Sequence, residues 1–258
     1  MGAAIVIAGS LLFVRLVFFN DKATPLTTDE ALDRYRASTI VATTTTVVAE
    51  IQTLPVTGVY RYTTVGRESI DALDGTEHIY PDETTITFVA AGCGVEMRWD
   101  ALVERHDEWN LCVTDAGIEL QSSGGAYHVF FGEEKIEPVE CDRTVVLITS
   151  NTADALTPSE PVPVQCTIGG EPWFPVWQVL ERGVRTVDGT EIDVQHVRMT
   201  LTDEDEFPEH ITLDWYLDDH GLLISATLAK ETLADTVLGT VTYKESYKLA
   251  LVSLIPLR

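Results

Sequence analysis

Three adjacent polar residues, Asp218, Asp219 and His220, form the stretch of this chain that most suggests chemistry. A carboxylate beside an imidazole can tune the imidazole for proton transfer, so the triplet is a candidate acid–base site of a hydrolase. The competing interpretation is a turn, because Gly221 follows directly and aspartates bond to nearby backbone N–H groups in turns. The turn alone explains both aspartates, and catalysis is the second hypothesis.

Two other polar stretches raise similar questions. Residues 105–108, with the sequence Arg-His-Asp-Glu, invite the same acid–base interpretation and the same objection. Residues 202–210 concentrate carboxylate oxygens of the kind that Ca²⁺ prefers, but they lack the glycine and the ligand spacing of an EF-hand. We interpret them as a solvated hairpin loop and predict no metal site. His128, close to two phenylalanines, is predicted to be a strand residue on a half-buried face.

The sequence contains no familiar cofactor or nucleotide motif. Residues 122–125 are glycine-rich, but no helix signal follows them, so they predict no phosphate cradle. A nucleophile elbow, a P-loop, a dinucleotide fingerprint and an H-E-x-x-H zinc motif are all missing from the sequence. We therefore predict no cofactor, and no motif identifies a reaction.

The four cysteines predict the redox environment of the protein. They show no C-x-x-C spacing, so zinc or a redox dithiol is not indicated. We predict local disulfides, Cys93 with Cys112 and Cys141 with Cys166, among the three possible connectivities. The alternative is four buried thiols in a cytosolic protein. Disulfides would place the domain in an oxidising compartment.

The charge of the chain restricts its partners. The 41 acidic and 17 basic residues give a formal net charge of −24, which repels nucleic acid and anionic lipid surfaces. The acidic residues are spread through turns and strand ends instead of one tail, which favours a solvated surface. Nucleic acid is therefore not a predicted partner.

A repeated β pattern organises most of the chain. In residues 211–217, apolar Ile, Leu, Trp and Leu alternate with polar residues, and the turn at 218–221 leads into a second strand. A weaker copy of this Trp-x-Leu and Asp-x-Gly pattern occurs at residues 109–117. An Asp-Gly-Thr-Glu tetrapeptide precedes each copy, at 74–77 and at 188–191. The sequence thus predicts a duplicated β-meander.

The predicted domains follow from these boundaries. Thr27 and Glu30 have the spacing of a capping box, so residues 23–57 are predicted to be a short amphipathic helix and a threonine-rich tether. The two meanders cover 58–150 and 176–258, and a proline-rich connection covers 151–175. The aromatic residues Trp173, Phe174 and Trp177 are expected to be core plugs at the seam of two sheets, and a ligand cage is the alternative. The predicted fold class is all-β, an antiparallel curved sheet or half-barrel.

The first 22 residues are predicted to be a membrane anchor. Residues 2–19 are apolar apart from Ser10 and Arg15, and as a helix they would span about 27 Å. A bilayer core of roughly 30 Å needs about this length. A cleaved signal peptide and a buried core helix are the alternatives, although no A-x-A site follows Phe19.

The orientation of this anchor is contested within the sequence. Basic residues follow the apolar segment, and the positive-inside rule would leave the domain in the cytoplasm. The predicted disulfides favour the opposite side of the membrane. We predict a single-pass protein of the plasma membrane with its main domain outside the cytoplasm.

The function predicted from the sequence is binding. A curved antiparallel sheet offers a concave face for a hydrophobic ligand or a protein partner, and the membrane would be contacted through the N-terminal helix. In architecture alone, such a sheet resembles the half-barrels of exported lipid and lipoprotein carriers. The alternatives are a hydrolase with an Asp/His site at 218–220 and a structural docking module of a membrane complex.

Overall fold

The fold consists of one curled antiparallel sheet, seen in a computed structural model of the chain. The structure describes residues 23–41, 54–71, 77–130, 133–149, 158–203, 209–236 and 239–258. The elements in chain order are α1 (Thr28–Val41), β1 (Gly58–Ile70), β2 (Glu77–Ile79), β3 (Glu83–Ala91), β4 (Gly94–Leu102), β5 (Arg105–Thr114), β6 (Gly117–Phe130), β7 (Glu133–Cys141), β8 (Val145–Thr149), β9 (Val162–Pro163), β10 (Cys166–Ile168), β11 (Glu171–Trp173), β12 (Val176–Val187), β13 (Thr190–Asp203), β14 (Glu209–Leu217), β15 (Leu223–Thr236) and β16 (Gly239–Leu251). The all-β prediction is therefore confirmed.

The predicted membrane anchor and most of the threonine-rich tether lie outside the described residues. Within the described ranges, no helix is long and apolar enough to cross a membrane. The anchor at residues 1–22 therefore stays a prediction.

Helix α1 begins at the predicted capping box. The Glu30 carboxylate accepts the backbone N–H of Thr27 at 2.8 Å, and the Thr27 hydroxyl accepts the N–H of Glu30 at 3.3 Å. Ala31 and Tyr35 pack with Val59 in a small apolar cluster on the convex face of the sheet. This face is opposite the main core, so α1 does not cover the interior.

The order of the strands joins the two halves of the chain at the middle of the sheet. The path runs β11-β10-β7-β6-β5-β4-β3-β1-β16-β15-β14-β13-β12-β9, with β2 added beside β1 and β8 beside β6. Every pairing between the described strands is antiparallel, as the short connections predict. The first and the last long strands, β1 and β16, are neighbours, so the two meanders extend as two arms from a shared centre.

The proline-rich connection bridges the outer edges of these arms. Strand β9 pairs with β12 at one edge, and β10 pairs with β7 at the other. Only Val164 and Gln165 separate β9 from β10, a span of at most about 10 Å. Short strands therefore form within a segment predicted to be a linker, and their prolines, Pro163 and Pro172, are tolerated because the strands lie at sheet edges.

The core fills the concave side of the sheet, and both arms contribute to it. Strand β16 shows how the sequence produces this face, since every second residue from Val241 to Leu251 is buried. The series includes Glu245, which the pattern places among apolar neighbours instead of at the surface. Tyr62, Trp99 and Trp215 are among the largest side chains that are fully enclosed.

The two copies of the Trp-x-Leu pattern occupy comparable local positions. Trp109 lies on β5 and Trp215 on β14, and each strand ends in a turn that leads to the next strand. The glycines of these turns, Gly117 and Gly221, have φ angles of 134° and 81°, which glycine adopts without a steric cost. The two indole rings meet edge to face, with centroids 5.2 Å apart.

The second tetrapeptide forms the hairpin turn between β12 and β13, where Thr190 pairs with Val187. Residues 74–76 of the first lie outside the described residues. Among the aromatic residues expected at the seam, Trp177 is buried against Trp215, with centroids 5.6 Å apart, whereas Phe174 is exposed.

Both predicted cysteine pairs lie at disulfide distance, so the predicted connectivity is confirmed. Cys93, in the turn before β4, joins Cys112 on β5, with Cα atoms 5.1 Å apart. Cys141 and Cys166 are opposite residues on β7 and β10, with Cα atoms 3.9 Å apart. The second disulfide therefore fastens the bridging segment to the edge of the first arm.

Candidate functional site

A group of polar side chains, all buried except the half-buried His128, lies in the concave core at the centre of the sheet, and we call it the interior cluster. It comprises Glu68, His78, Tyr80, Arg105, His128, Tyr243 and Glu245. The alternation of β1 and β16 turns the two glutamates inward, and they are directly opposite residues of the two strands. Both arms of the sheet contribute to the interior cluster.

Glu68 is completely buried and is surrounded by donors. Its carboxylate lies 3.0 Å from His78 Nδ1 and 3.0 Å from His128 Nε2, and it accepts the Tyr243 hydroxyl at 2.8 Å. Burial alone would raise the pKa of Glu68, but the two histidine hydrogen bonds and the nearby Arg105 charge lower this pKa well below its usual range. Glu68 is therefore a carboxylate held in its ionised form.

Glu245 completes the same network from the neighbouring strand. It accepts the Tyr80 hydroxyl at 2.8 Å and lies 3.1 Å from Arg105 Nη2. Arg105 also pairs with Asp107 at 3.0 Å. Burial would lower the pKa of Arg105, but the carboxylates of Asp107 and Glu245 raise it well above its ordinary value. The guanidinium is consequently a fixed cation inside the core.

Two tyrosine hydroxyls hold the two carboxylates together. Tyr80 lies within 3.3 Å of Glu68 and Tyr243 within 3.2 Å of Glu245, in addition to the shorter bonds described above. Burial raises the pKa of both tyrosines well above the ordinary value, so each hydroxyl keeps its proton and donates. These donors offset part of the repulsion between opposite like charges.

A glycine on β1 makes room for one of these tyrosines. A Cβ atom at Gly66 would lie 2.8 Å from Cδ2 of the Tyr80 ring and 2.7 Å from Cβ of Tyr247. Any side chain at this position would collide with the Tyr80 ring and with β16 at Tyr247, so Gly66 leaves the room that the Tyr80 ring occupies beside Glu245.

A cavity of about 200 Å³ lies beside the interior cluster, between the two arms of the sheet. Its apolar wall includes Trp109, Leu120 and Val145 from the first half and Trp177, Met199 and Leu213 from the second. Arg105, Asp107 and Glu245 form part of its polar lining. The cavity therefore combines an extensive apolar surface with a few fixed polar groups, as ligand sites do.

The structure places the predicted triplet at 218–220 in the turn after β14. Asp218 accepts the backbone N–H groups of His220 at 2.9 Å and of Leu222 at 2.8 Å, and Asp219 is paired with Arg182. Burial raises the pKa of Asp218. Asp219 and His220 are exposed, and none of the three lines the cavity. Local hydrogen bonds account for Asp218 as the turn interpretation expects, and the hydrolase site stays a prediction.

Strand alternation separates the other candidate residues. Arg105 and Asp107 belong to the interior, whereas His106 and Glu108 meet Arg98 in a second polar group, where His106 stacks on Tyr127. The four residues at 105–108 are thus not one site. Residues 204–208 of the acidic loop lie outside the described residues, and no group of described side chains is arranged to hold a metal ion.

Most of the interior cluster was not predicted from the sequence. His128 is half-buried on its strand as expected, but its contact with Glu68, 60 positions away, was not predicted. The available signal was a charged residue in phase with buried ones: Glu68 follows Tyr60, Tyr62 and Thr64 at even spacing, and Glu245 stands between Tyr243 and Tyr247. Acidic residues are almost never fully buried unless they are paired, so this phase predicts buried partners.

Comparisons with protein-family models, with curated proteins and with solved structures each gave no match for this chain.

Proposed function

We propose that this protein binds a small hydrophobic ligand in the cavity between the two arms of its sheet. The observation that carries the proposal is the wall itself, in which Trp109, Trp177 and Leu213 from different arms face the same space beside a charged residue, Arg105. Protein cores are normally packed to crystal-like density, so a space of about 200 Å³ between apolar side chains is large enough to admit a small molecule. A cavity of roughly 150 Å³ is sufficient to take benzene.

The same proposal includes a location. The domain is held outside the cytoplasm at the plasma membrane by residues 1–22, where it would meet hydrophobic molecules released from the bilayer. Two cysteine pairs at disulfide distance support an oxidising compartment. The strongly acidic surface agrees with a domain that keeps its distance from anionic headgroups.

Energy transfer from tryptophan to 1-aminonaphthalene, a neutral bicyclic fluorophore small enough for a cavity of about 200 Å³, tests the proposal. Three of the five tryptophans, Trp109, Trp173 and Trp177, line the cavity, so a fluorophore bound there will be sensitised strongly. The full chain should be studied in nanodiscs, with empty nanodiscs as the blank. Saturable sensitisation at one site per chain is the expected result.

A matched pair of variants locates the bound fluorophore. Ala126 lines the cavity, so Ala126→Leu should fill it and abolish the saturable signal. Ala250 is exposed on β16 between two buried leucines, so Ala250→Leu makes the same chemical change on the convex face and should leave the signal intact. Equal binding to both variants would show that the fluorophore binds elsewhere, and the proposal would be wrong.

The other functions predicted from the sequence receive no specific support from the geometry. The hydrolase site at 218–220 and the docking of a protein partner remain alternatives. The large exposed apolar side chains of the described strands include Val65, Ile79, Ile136 and Val184, which belong to four different strands.

A further inference from the structure

The lining that the first arm contributes to the cavity contains a row with an open centre. Gly124 on β6 lies opposite Trp109 on β5 and opposite Val139 on β7, and all three line the cavity. Opposite residues of an antiparallel pair have their side chains on the same face, so the glycine leaves a gap between the side chains of its two neighbours. The gap is fixed, because a Cβ atom at Gly124 would lie 2.7 Å from the carbonyl oxygen of Glu108. An apolar group of a ligand can lie there against Trp109.

The next row on the same face is acidic at both ends. Ala126 lies opposite Asp107 and opposite Glu137, and these three residues also line the cavity. Neighbouring strands are about 4.8 Å apart, so the backbone positions of the two acidic residues are separated by about 10 Å. The methyl group of Ala126 fills little of the space between them. A ligand group above Ala126 therefore has a carboxylate on each side.

A ligand can reach both of these carboxylates. The side chain of Asp107 is 15% exposed, and Glu137 is half-buried. Asp107 is paired with Arg105 at 3.0 Å, whereas the carboxylate of Glu137 forms no ion pair or hydrogen bond with a described residue. Glu137 is thus an accessible anion in the wall of a largely apolar cavity. It can accept a hydrogen bond from a ligand without giving up an existing contact.

The cation that pairs with this row, Arg105, does not favour an anionic ligand. Its guanidinium lies 3.0 Å from Asp107, 3.1 Å from Glu245 and 4.0 Å from Glu68. Three carboxylates already share this one guanidinium, so Arg105 offers no uncompensated charge. An anionic head group would add a further negative charge, and like charges at such distances repel strongly in a partly buried site.

The two other basic residues of the described lining also have partners. Arg143 is paired with Asp142 at 2.8 Å. The ammonium group of Lys230, on the second arm, lies over the Tyr243 ring, 5.2 Å from its centroid. The formal net charge of the chain is −24, and such a protein attracts cations and repels anions. The charges of the cavity and of the whole chain thus both favour a cationic head group.

We infer that the ligand is a small protonated amine with an apolar body, whose ammonium group lies above Ala126 and donates a hydrogen bond to the Glu137 carboxylate. This inference rests on the proposed function, because it concerns the occupant of the same cavity. The two rows are two residues apart along each strand, or about 7 Å, so a short carbon chain must join the amine to the apolar body. The volume of the cavity suits a compact ligand of about ten non-hydrogen atoms. A small arylalkylamine has these properties.

Competition among phenyl compounds of nearly equal size tests the inference. Phenethylamine, phenethyl alcohol, propylbenzene and phenylacetate should be titrated against 1-aminonaphthalene bound to the full chain in nanodiscs of zwitterionic lipid. We expect phenethylamine to displace the fluorophore at a concentration about tenfold lower than phenethyl alcohol does, because its ammonium group forms a charge-assisted bond with a carboxylate. Phenylacetate should be weaker than the alcohol by at least this factor, because its own carboxylate is repelled.

Glu137→Gln locates the ammonium group, because the variant keeps the shape of the side chain and removes its charge. The preference for phenethylamine over phenethyl alcohol should disappear, measured as the ratio of their displacement concentrations. Glu140→Gln is the matched control, because Glu140 is exposed on the opposite face of β7 and does not line the cavity. It loses the same charge and should keep the preference. Urea denaturation of both variants checks that the fold is retained.

The outcomes separate the two proposals. If 1-aminonaphthalene itself does not bind, the proposed function fails. If it binds, but phenethyl alcohol, propylbenzene or phenylacetate displaces it as well as phenethylamine does, the cavity binds hydrophobic molecules and the inference about the head group is wrong. An equal loss of preference in Glu137→Gln and Glu140→Gln would show that the overall charge of the chain attracts the amine. Glu137 would then not hold the ammonium group, and the inference would be overturned.

Discussion

Glu68 and Glu245 are directly opposite residues of β1 and β16, and both are buried. Two like charges in this position would destabilise a sheet if they were alone. Here they connect the first long strand to the last through Tyr80, Tyr243 and Arg105. The interior cluster therefore lies at the β1–β16 pair, where the two arms of the described sheet meet, and it fixes Arg105 beside the cavity.

Removing the Glu68 charge should destabilise the fold. Glu68→Gln preserves the shape of the side chain but removes its charge, so His78, His128 and Tyr243 bond to a neutral partner. We expect a loss of about 3 kcal/mol in the free energy of unfolding, measured by urea denaturation, because one partner of a buried charged network is removed. Glu231→Gln is the control: its exposed pair with Lys244 should contribute less than about 1 kcal/mol. Equal losses in the two variants would contradict the structural role of the cluster.

Glu68 should also affect how steeply the stability of the fold decreases at acidic pH. The pKa of Glu68 is lower in the folded chain than its ordinary value of 4.5, so the folded state binds this proton less tightly than the unfolded state does. The contribution of ionised Glu68 to the free energy of unfolding is complete when the pH is above the ordinary pKa of this residue. It is lost as the pH falls below that pKa. Thermal midpoints measured downward from about pH 7 should therefore fall less steeply in Glu68→Gln below this point. If the thermal midpoints of the unmodified chain and of Glu68→Gln decrease equally steeply with falling pH, Glu68 is not linked to acid unfolding.

Local patterns predicted much of this fold, and contacts distant in sequence explain what they missed. The alternation of apolar and polar residues and a turn with glycine predict the hairpin of β14 and β15. The short sequence separations between cysteines predict the two disulfides. The interior cluster has only the signal of two glutamates in phase with buried residues. Its members come from β1, β2, β5, β6 and β16, with Tyr80 just after β2, and the two glutamates meet only because the first and last strands pair. The cavity depends on how far the sheet curls, and no residue pattern fixes that curvature.

The capping box of α1 should affect the helix without affecting the cavity. Thr27→Ala removes the hydroxyl that accepts the N–H of Glu30, and loss of such a cap typically costs about 1 kcal/mol. Hydrogen exchange in residues 28–41 should become faster. Sensitisation of 1-aminonaphthalene should not change, because α1 packs on the convex face against Val59. Weaker binding in this variant would mean that the helix supports the ligand site.

The two disulfides should have similar effects on stability but different effects on binding. They close segments with separations of 19 and 25 residues, so the chain-entropy model gives each about 3 kcal/mol. Only Cys141 and Cys166 line the cavity, and they attach β10 to β7 where the connection bridges the two arms. Replacing this pair by alanines should free the bridging segment and weaken the binding of 1-aminonaphthalene. The same replacement of Cys93 and Cys112 provides the matched control, with a comparable loss in urea denaturation and unchanged binding. If both double variants bind equally well, the bridge is not needed to enclose the ligand, and the apolar wall of the two arms is sufficient to hold it.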